Sequence, residues 1–134
     1  MELEVGMYAR TKHKGIIKID KVIDNGVITY EDDLGREWEE ETGRKVIRYI
    51  GKDGWNCGLD EKDILKASHN IIDLIQGNDF VNGHRVISVD RESLELDIET
   101  FMYHCGYETI NGNTDIKSIV TKEQFESMSY KVGD

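Results

Sequence analysis

Residues 5–30 read Val5-Gly6-Met7-Tyr8-Ala9-Arg10-Thr11-Lys12-His13-Lys14-Gly15-Ile16-Ile17-Lys18-Ile19-Asp20-Lys21-Val22-Ile23-Asp24-Asn25-Gly26-Val27-Ile28-Thr29-Tyr30, and their spacing decides the fold class. Val5, Met7 and Ala9 alternate with Gly6, Tyr8 and Arg10; after a turn at Lys14-Gly15, Ile17 and Ile19 alternate with Lys18 and Asp20. A period near two places successive side chains on opposite faces, which is the mark of short half-buried strands and not of helices. Asp24-Asn25-Gly26 predicts a hairpin, because Asn-Gly supplies the positive φ angles of a type I′ turn, with Val27-Ile28-Thr29-Tyr30 returning as its second strand.

A weaker copy of this layout begins near Leu74. Asp79-Phe80-Val81 stands where Met7-Tyr8-Ala9 stood, Asn82-Gly83 supplies a tight turn, and Val86-Ile87-Ser88-Val89-Asp90 echoes Ile16-Ile17-Lys18-Ile19-Asp20. Ser93-Leu94-Glu95-Leu96-Asp97-Ile98 then returns by strict alternation. The ends correspond too: Asp63-Ile64-Leu65-Lys66-Ala67-Ser68 resembles Asp115-Ile116-Lys117-Ser118-Ile119-Val120, and each runs into a short helical turn. In the second, Thr121 and Gln124 make a capping box, and Phe125 and Met128 share a face. Two repeats are too few for a solenoid and imply a duplicated domain. The expected fold is mainly β: two tandem small SH3-like barrels, residues 1–72 and 73–134, each ending in a helical turn, the first carrying an insertion at 31–62. A chain of 134 residues holds two barrels of about 60 residues each, close to the smallest size that folds unaided.

Composition narrows the function. Twenty-seven Asp and Glu against 17 Lys and Arg give a net charge of -10, which disfavours direct nucleic-acid binding and favours basic partners. The sequence carries no apolar run long enough to span a membrane and no signal-like start, so a cytoplasmic protein without membrane contact is expected. Cys57 and Cys105 lie far apart without CxxC spacing and read as reduced thiols. His13, His69, His84 and His104 fall on separate elements, and neighbours such as His104 and Cys105 point to opposite faces of a strand, so neither a metal site nor a thiol dyad is expected. With no phosphate-binding glycine motif and no convergent nucleophile and base, the expectation is a non-enzyme without a cofactor.

The distinctive stretch is Glu31-Asp32-Asp33-Leu34-Gly35-Arg36-Glu37-Trp38-Glu39-Glu40-Glu41, with seven carboxylates and one arginine in eleven residues. Covering it with a basic surface would relieve its self-repulsion and release counterions. Trp38 is either an interface anchor or a core residue of a solvated hairpin. Lys45-Val46-Ile47-Arg48-Tyr49-Ile50 reads as a strand able to pair with the acidic stretch, and Trp55, in the glycine-rich loop 51–58, is either a contact or a lid over its barrel. The candidate partner-binding residues are Asp32, Asp33, Glu37, Trp38, Glu39, Glu40, Glu41 and Trp55.

The segments Lys66-Ala67-Ser68-His69-Asn70-Ile71-Ile72-Asp73-Leu74-Ile75, Asp79-Phe80-Val81-Asn82-Gly83 and Ile119-Val120-Thr121-Lys122-Glu123-Gln124-Phe125-Glu126, with the opening Val5-Gly6-Met7-Tyr8-Ala9-Arg10-Thr11-Lys12, resemble a recurrent family of small proteins of phages and prophages of Gram-positive bacteria. The family resemblance carries no catalytic or binding residues over. It implies a protein that occupies a host or defence protein, with inhibition of a defence nuclease complex, CRISPR effectors included, as the leading expectation. The alternatives are a sponge for a nucleotide signal, for which Arg44, Arg48, Arg85 and Tyr103 are available, and a structural or regulatory accessory of the phage.

Overall fold

The structure, a computed structural model, describes residues 2–51, 53–100 and 106–128. Strands dominate it, with one short α-helix, in agreement with the mainly β reading. Strand β1 (Tyr8–Thr11) forms a hairpin with β2 (Ile16–Lys18) around Gly15, and its other edge takes β8 (Ile64–Ser68) antiparallel. The second half repeats this relation: β9 (Phe80–Val81) pairs with the start of β10 (His84–Asp90) on one side and with β13 (Ile119–Val120) on the other. Asn82 and Gly83 both take positive φ, 53° and 81°, so the Asn-Gly turn between β9 and β10 has the backbone its sequence demands.

From each first hairpin the chain passes into a second group of strands. In the first half the break falls at Ile19-Asp20, where the Ile19 amide still bonds β1 territory at Met7 while the Asp20 amide bonds Arg48. Strand β3 (Lys21–Ile23) then pairs with β6 (Val46–Ile50), whose far edge carries β7 (Asn56–Asp60). In the second half a register shift between Val86 and Ser88 bends β10 onto β11 (Glu95–Glu99), which pairs with β12 (Tyr107–Asn111). Among the described residues the sheets stay open and form no closed barrel.

Each half has its own apolar cluster. Ala9, Ile17, Ile19, Ile47, Tyr49 and Ile64 pack in the first; Ile72, Ile75, Val81, Val86, Leu96, Ile98 and Ile110 pack in the second. The stretch 31–62, read as an insertion, is of two kinds: Ile47 and Tyr49 belong to the first cluster, whereas residues 33–41 are exposed throughout. The strand at 45–50 therefore pairs with β3 and β7, not with the acidic stretch.

Asp24-Asn25-Gly26 makes no hairpin. β3 and β4 (Val27–Glu31) are successive parts of one arm of a long ribbon, whose other arm is β5 (Glu37–Glu41) followed by β6. Asn25 has φ 51°, yet Gly26 is not in the positive region. A Cβ on Gly26 would lie 2.4 Å from the Val46 side chain, so glycine serves close strand approach here and not turn geometry.

The halves meet at a buried arginine. Ala9, Arg10 and Thr11 of β1 are all fully buried, because the strand has the first apolar cluster on one face and the second half of the chain on the other. Arg10 donates Nη1 and Nη2 to the two carboxylate oxygens of Asp79 at 2.5 and 2.7 Å, Nη1 also to the Leu74 carbonyl at 2.8 Å, and Nη2 to Glu123 at 2.5 Å. Asp79 further accepts the amides of Gln76 and Lys122. Burial works against the Arg10 charge, and the bonds to Asp79 and Glu123 outweigh it, holding the guanidinium above its ordinary pKa. Glu123 belongs to α1 (Lys122–Met128), whose start has the expected capping box: the Gln124 amide donates to Thr121 Oγ1 and the Thr121 amide to Gln124 Oε1.

Candidate functional site

The distal ribbon, β4 and β5, forms a two-stranded sheet of its own, and among the described side chains none of its residues belongs to either apolar cluster. Its end is the turn Asp32–Arg36, with Gly35 at φ 76°. Asp32 organises that turn by accepting four hydrogen bonds: the amides of Leu34 and Arg36 at 2.9 Å, Arg36 Nε at 2.8 Å and the Trp38 indole at 2.8 Å. The indole bond first, and then the Arg36 amide, hold the Asp32 carboxyl below its ordinary pKa. The Arg36 guanidinium also lies 5.5 Å from the Trp38 ring centroid, so turn, arginine and tryptophan form one fixed cap. Among the candidate contacts, Asp32 thus shapes the site from within.

Trp38 is 46% exposed and Trp55 72%, so neither is a core residue. The two do not share a location along the sheet. The ribbon leaves the body at the Val46 end of β6, where Gly26 bonds Thr42 and Arg44, while Trp55 sits in the turn joining Ile50 to Asn56 at the other end of that strand. Trp55 is held by an Asp53-centred turn, with its amide donating to Asp53 Oδ1 at 3.2 Å.

Strand alternation divides the carboxylates. Glu37, Glu39 and Glu41 stand opposite Glu31, Thr29 and Val27 on one face; Trp38 and Glu40 lie with Ile28 on the other. Glu31 and Glu37 are directly paired across the strands, an arrangement that like charges disfavour. Asp33 lies exposed in the turn. The ribbon therefore presents one face on which Glu31, Glu37, Glu39 and Glu41 stand with Thr29 and Val27, and a second on which Trp38 is pinned by Asp32 and Arg36.

The basic residues named for a nucleotide sponge do not converge. Arg44 is held by Asp60 through Nε and Nη2 at 2.9 and 2.7 Å, and Arg85 is held by Glu99 and Asn78. Arg48 lies along β6 beside Gly58, and Tyr103, like His104 and Cys105, lies outside the described residues. Among the described residues no group of three or more His, Cys, Asp or Glu side chains is arranged to hold a metal, and no helix is long and apolar enough to cross a membrane.

Sequence reasoning missed Arg10, Asp79 and Glu123. Alternation assigned Arg10 to the outer face of its strand, and only the second half of the chain makes that face an interior. Comparisons with protein-family models, with curated proteins and with solved structures give no match.

Proposed function

We propose that the chain is a phage-encoded, non-enzymatic binding protein that inhibits a bacterial defence nuclease complex, CRISPR effectors among them, by covering a basic nucleic-acid-binding surface with its acidic ribbon. The observation that carries this reading is a self-paired hairpin, exposed at every residue from 33 to 41, with Glu37, Glu39 and Glu41 on one face and no cation among them. A strand spaces alternate side chains at roughly 6 to 7 Å, comparable to the phosphate repeat along a nucleic-acid strand, so the face offers a partner a similar row of negative charge. Attraction of this kind acts mainly on association rate and weakens with salt. Trp38, fixed by its neighbours before any partner arrives, adds an anchor at little entropic cost.

We also read the two halves as duplicated SH3-like units with boundaries near residue 72. The shared strand relations β2-β1-β8 and β10-β9-β13, and a separate apolar cluster in each half, support that reading.

The test is a plaque assay in a Gram-positive host armed with a defence nuclease system, comparing wild type with Glu37→Lys/Glu39→Lys/Glu41→Lys. Wild type is expected to restore plaquing, and the folded triple variant to lose that ability entirely. Full protection by the triple variant would discard the ribbon as the inhibitory surface, and failure of the wild type across several nuclease systems would discard the inhibitor reading.

A further inference from the structure

A second feature lies away from the ribbon and shares no residue with it. A cleft of about 500 Å³ opens where the β1–β2 turn, β2, the end of β6, the start of β7 and α1 come together. Its rim carries His13, Lys14 and Lys18, all exposed. Its lining contains no carboxylate, although 27 of the 134 residues are acidic. Neither Lys14 nor Lys18 is in a salt bridge among the described residues; Lys18 has only the Tyr8 ring, 5.7 Å from its ammonium to the ring centroid. In a chain of net charge -10, a concave site whose lining holds two lysines and a histidine and no carboxylate, with Asp53 reaching it only behind Gly51, is locally electropositive.

The rest of the lining is of a different character. Ile17 and Tyr49 are core residues that show the cleft their outer edges, and Ile50, 53% exposed, extends the same apolar wall. Burial, and then the neighbouring Cys57, push the Tyr49 phenol above its ordinary pKa, so it stays a neutral hydroxyl. Gln124, from α1, closes the far side, lying within 2.4 Å of where a Gly15 Cβ would stand. The volume falls within the range of small-molecule sites, and an apolar wall with a few charged groups at one rim is their usual composition.

We propose that this cleft binds a nucleotide, with its phosphates at the His13, Lys14 and Lys18 rim and its base against the wall of Ile17, Tyr49 and Ile50. Arg44 and Arg85 are each held by a carboxylate elsewhere, whereas Lys14 and Lys18 are in no salt bridge among the described residues. The proposal is independent of the ribbon's role.

Isothermal titration calorimetry at low salt with ATP, AMP and inorganic phosphate tests it, on wild type, on Lys14→Glu/Lys18→Glu and on Lys62→Glu/Lys66→Glu. ATP or AMP is expected to bind wild type. The cleft pair should weaken that binding by at least about tenfold, and the control pair, equal in charge change, by no more than about twofold. Absence of binding by both nucleotides overturns the proposal. So does an equal loss in the control pair, which would assign the binding to overall charge, or phosphate binding as tightly as ATP, which would remove the base contact. Should the cleft pair not fold, amide chemical-shift changes in wild type on adding ATP decide: changes centred on residues 13–18 and 49–51 support the site, and changes centred elsewhere overturn it.

Discussion

Arg10 is a single side chain on which both halves of the molecule depend. Asp79 has no exposed side-chain surface and keeps only backbone donors if the guanidinium is removed. Breaking one partner of a buried pair leaves an uncompensated charge, so Arg10→Ala is expected to cost about 3 kcal/mol or more in urea unfolding, with Arg10→Met/Asp79→Leu recovering part of the loss. A second residue-scale effect concerns acid. Asp60 is held below its ordinary pKa first by Arg44, then by the Lys62 amide, against the opposing effect of burial. Its protonation is therefore harder in the folded protein than in the unfolded chain. The stabilisation is complete above the ordinary value of about 3.9 and is lost as pH falls through the lower folded value. Asp60→Asn should flatten the acid limb of a stability–pH curve below about pH 4, and an unchanged limb would assign it to other carboxylates. At the ribbon tip, Asp32→Ala in a Trp55→Phe background should move the Trp38 emission maximum and raise its quenching by acrylamide, since the indole is released from the cap; an unmoved maximum and unchanged quenching would show that the cap does not depend on Asp32.

Among the described side chains the ribbon brings none to either apolar cluster, and it meets the body where β4 runs beside β7. Replacing residues 29–39 by a two-residue Asn-Gly turn should change unfolding free energy by no more than about 1 kcal/mol, measured by circular dichroism, while removing Glu31, Glu37 and Glu39 from the acidic face. A large loss would mean that the distal ribbon supports β6. Two Asn-Gly dipeptides show how far elements can be read from sequence. At 82–83 both residues have positive φ and the flanking strands pair with each other, as the dipeptide predicts. At 25–26 the same letters lie inside a ribbon arm, because Val46 and Ile47 are buried by pairing β6 with β3, and that pairing carries the arm onward. A turn dipeptide permits a reversal; burial of the flanking residues decides whether it happens. The capping box at Thr121 was legible for a related reason, since both its bonds are local. The exposed acidic hairpin was legible as a charge run, and its division into two faces became visible once the register from Glu31 to Glu37 was fixed.

For the whole molecule, the mainly β character was legible because each half carries its own alternation, whereas the joint between the halves was not. Arg10 has no sequence neighbour that marks it as interior, and its partners lie 69 and 113 residues away. That joint predicts cooperative unfolding. Trp55, in the turn between β6 and β7, reports on the first half, so in a Trp38→Phe background its fluorescence should follow the same urea transition as the far-ultraviolet signal of the entire chain. Two separated transitions would show that the halves unfold independently despite the ion pairs.

The same separation in sequence sets an order of events during synthesis. Arg10 leaves the ribosome long before Asp79, and longer still before Glu123, so β1 must wait with an unpaired cation on a face destined for the interior. Contacts of such long range are slow to form, and the first half cannot settle into its final environment until most of the chain is made. Translation that stalls between the two halves should therefore yield an immature first half that proteases cut faster than the finished protein.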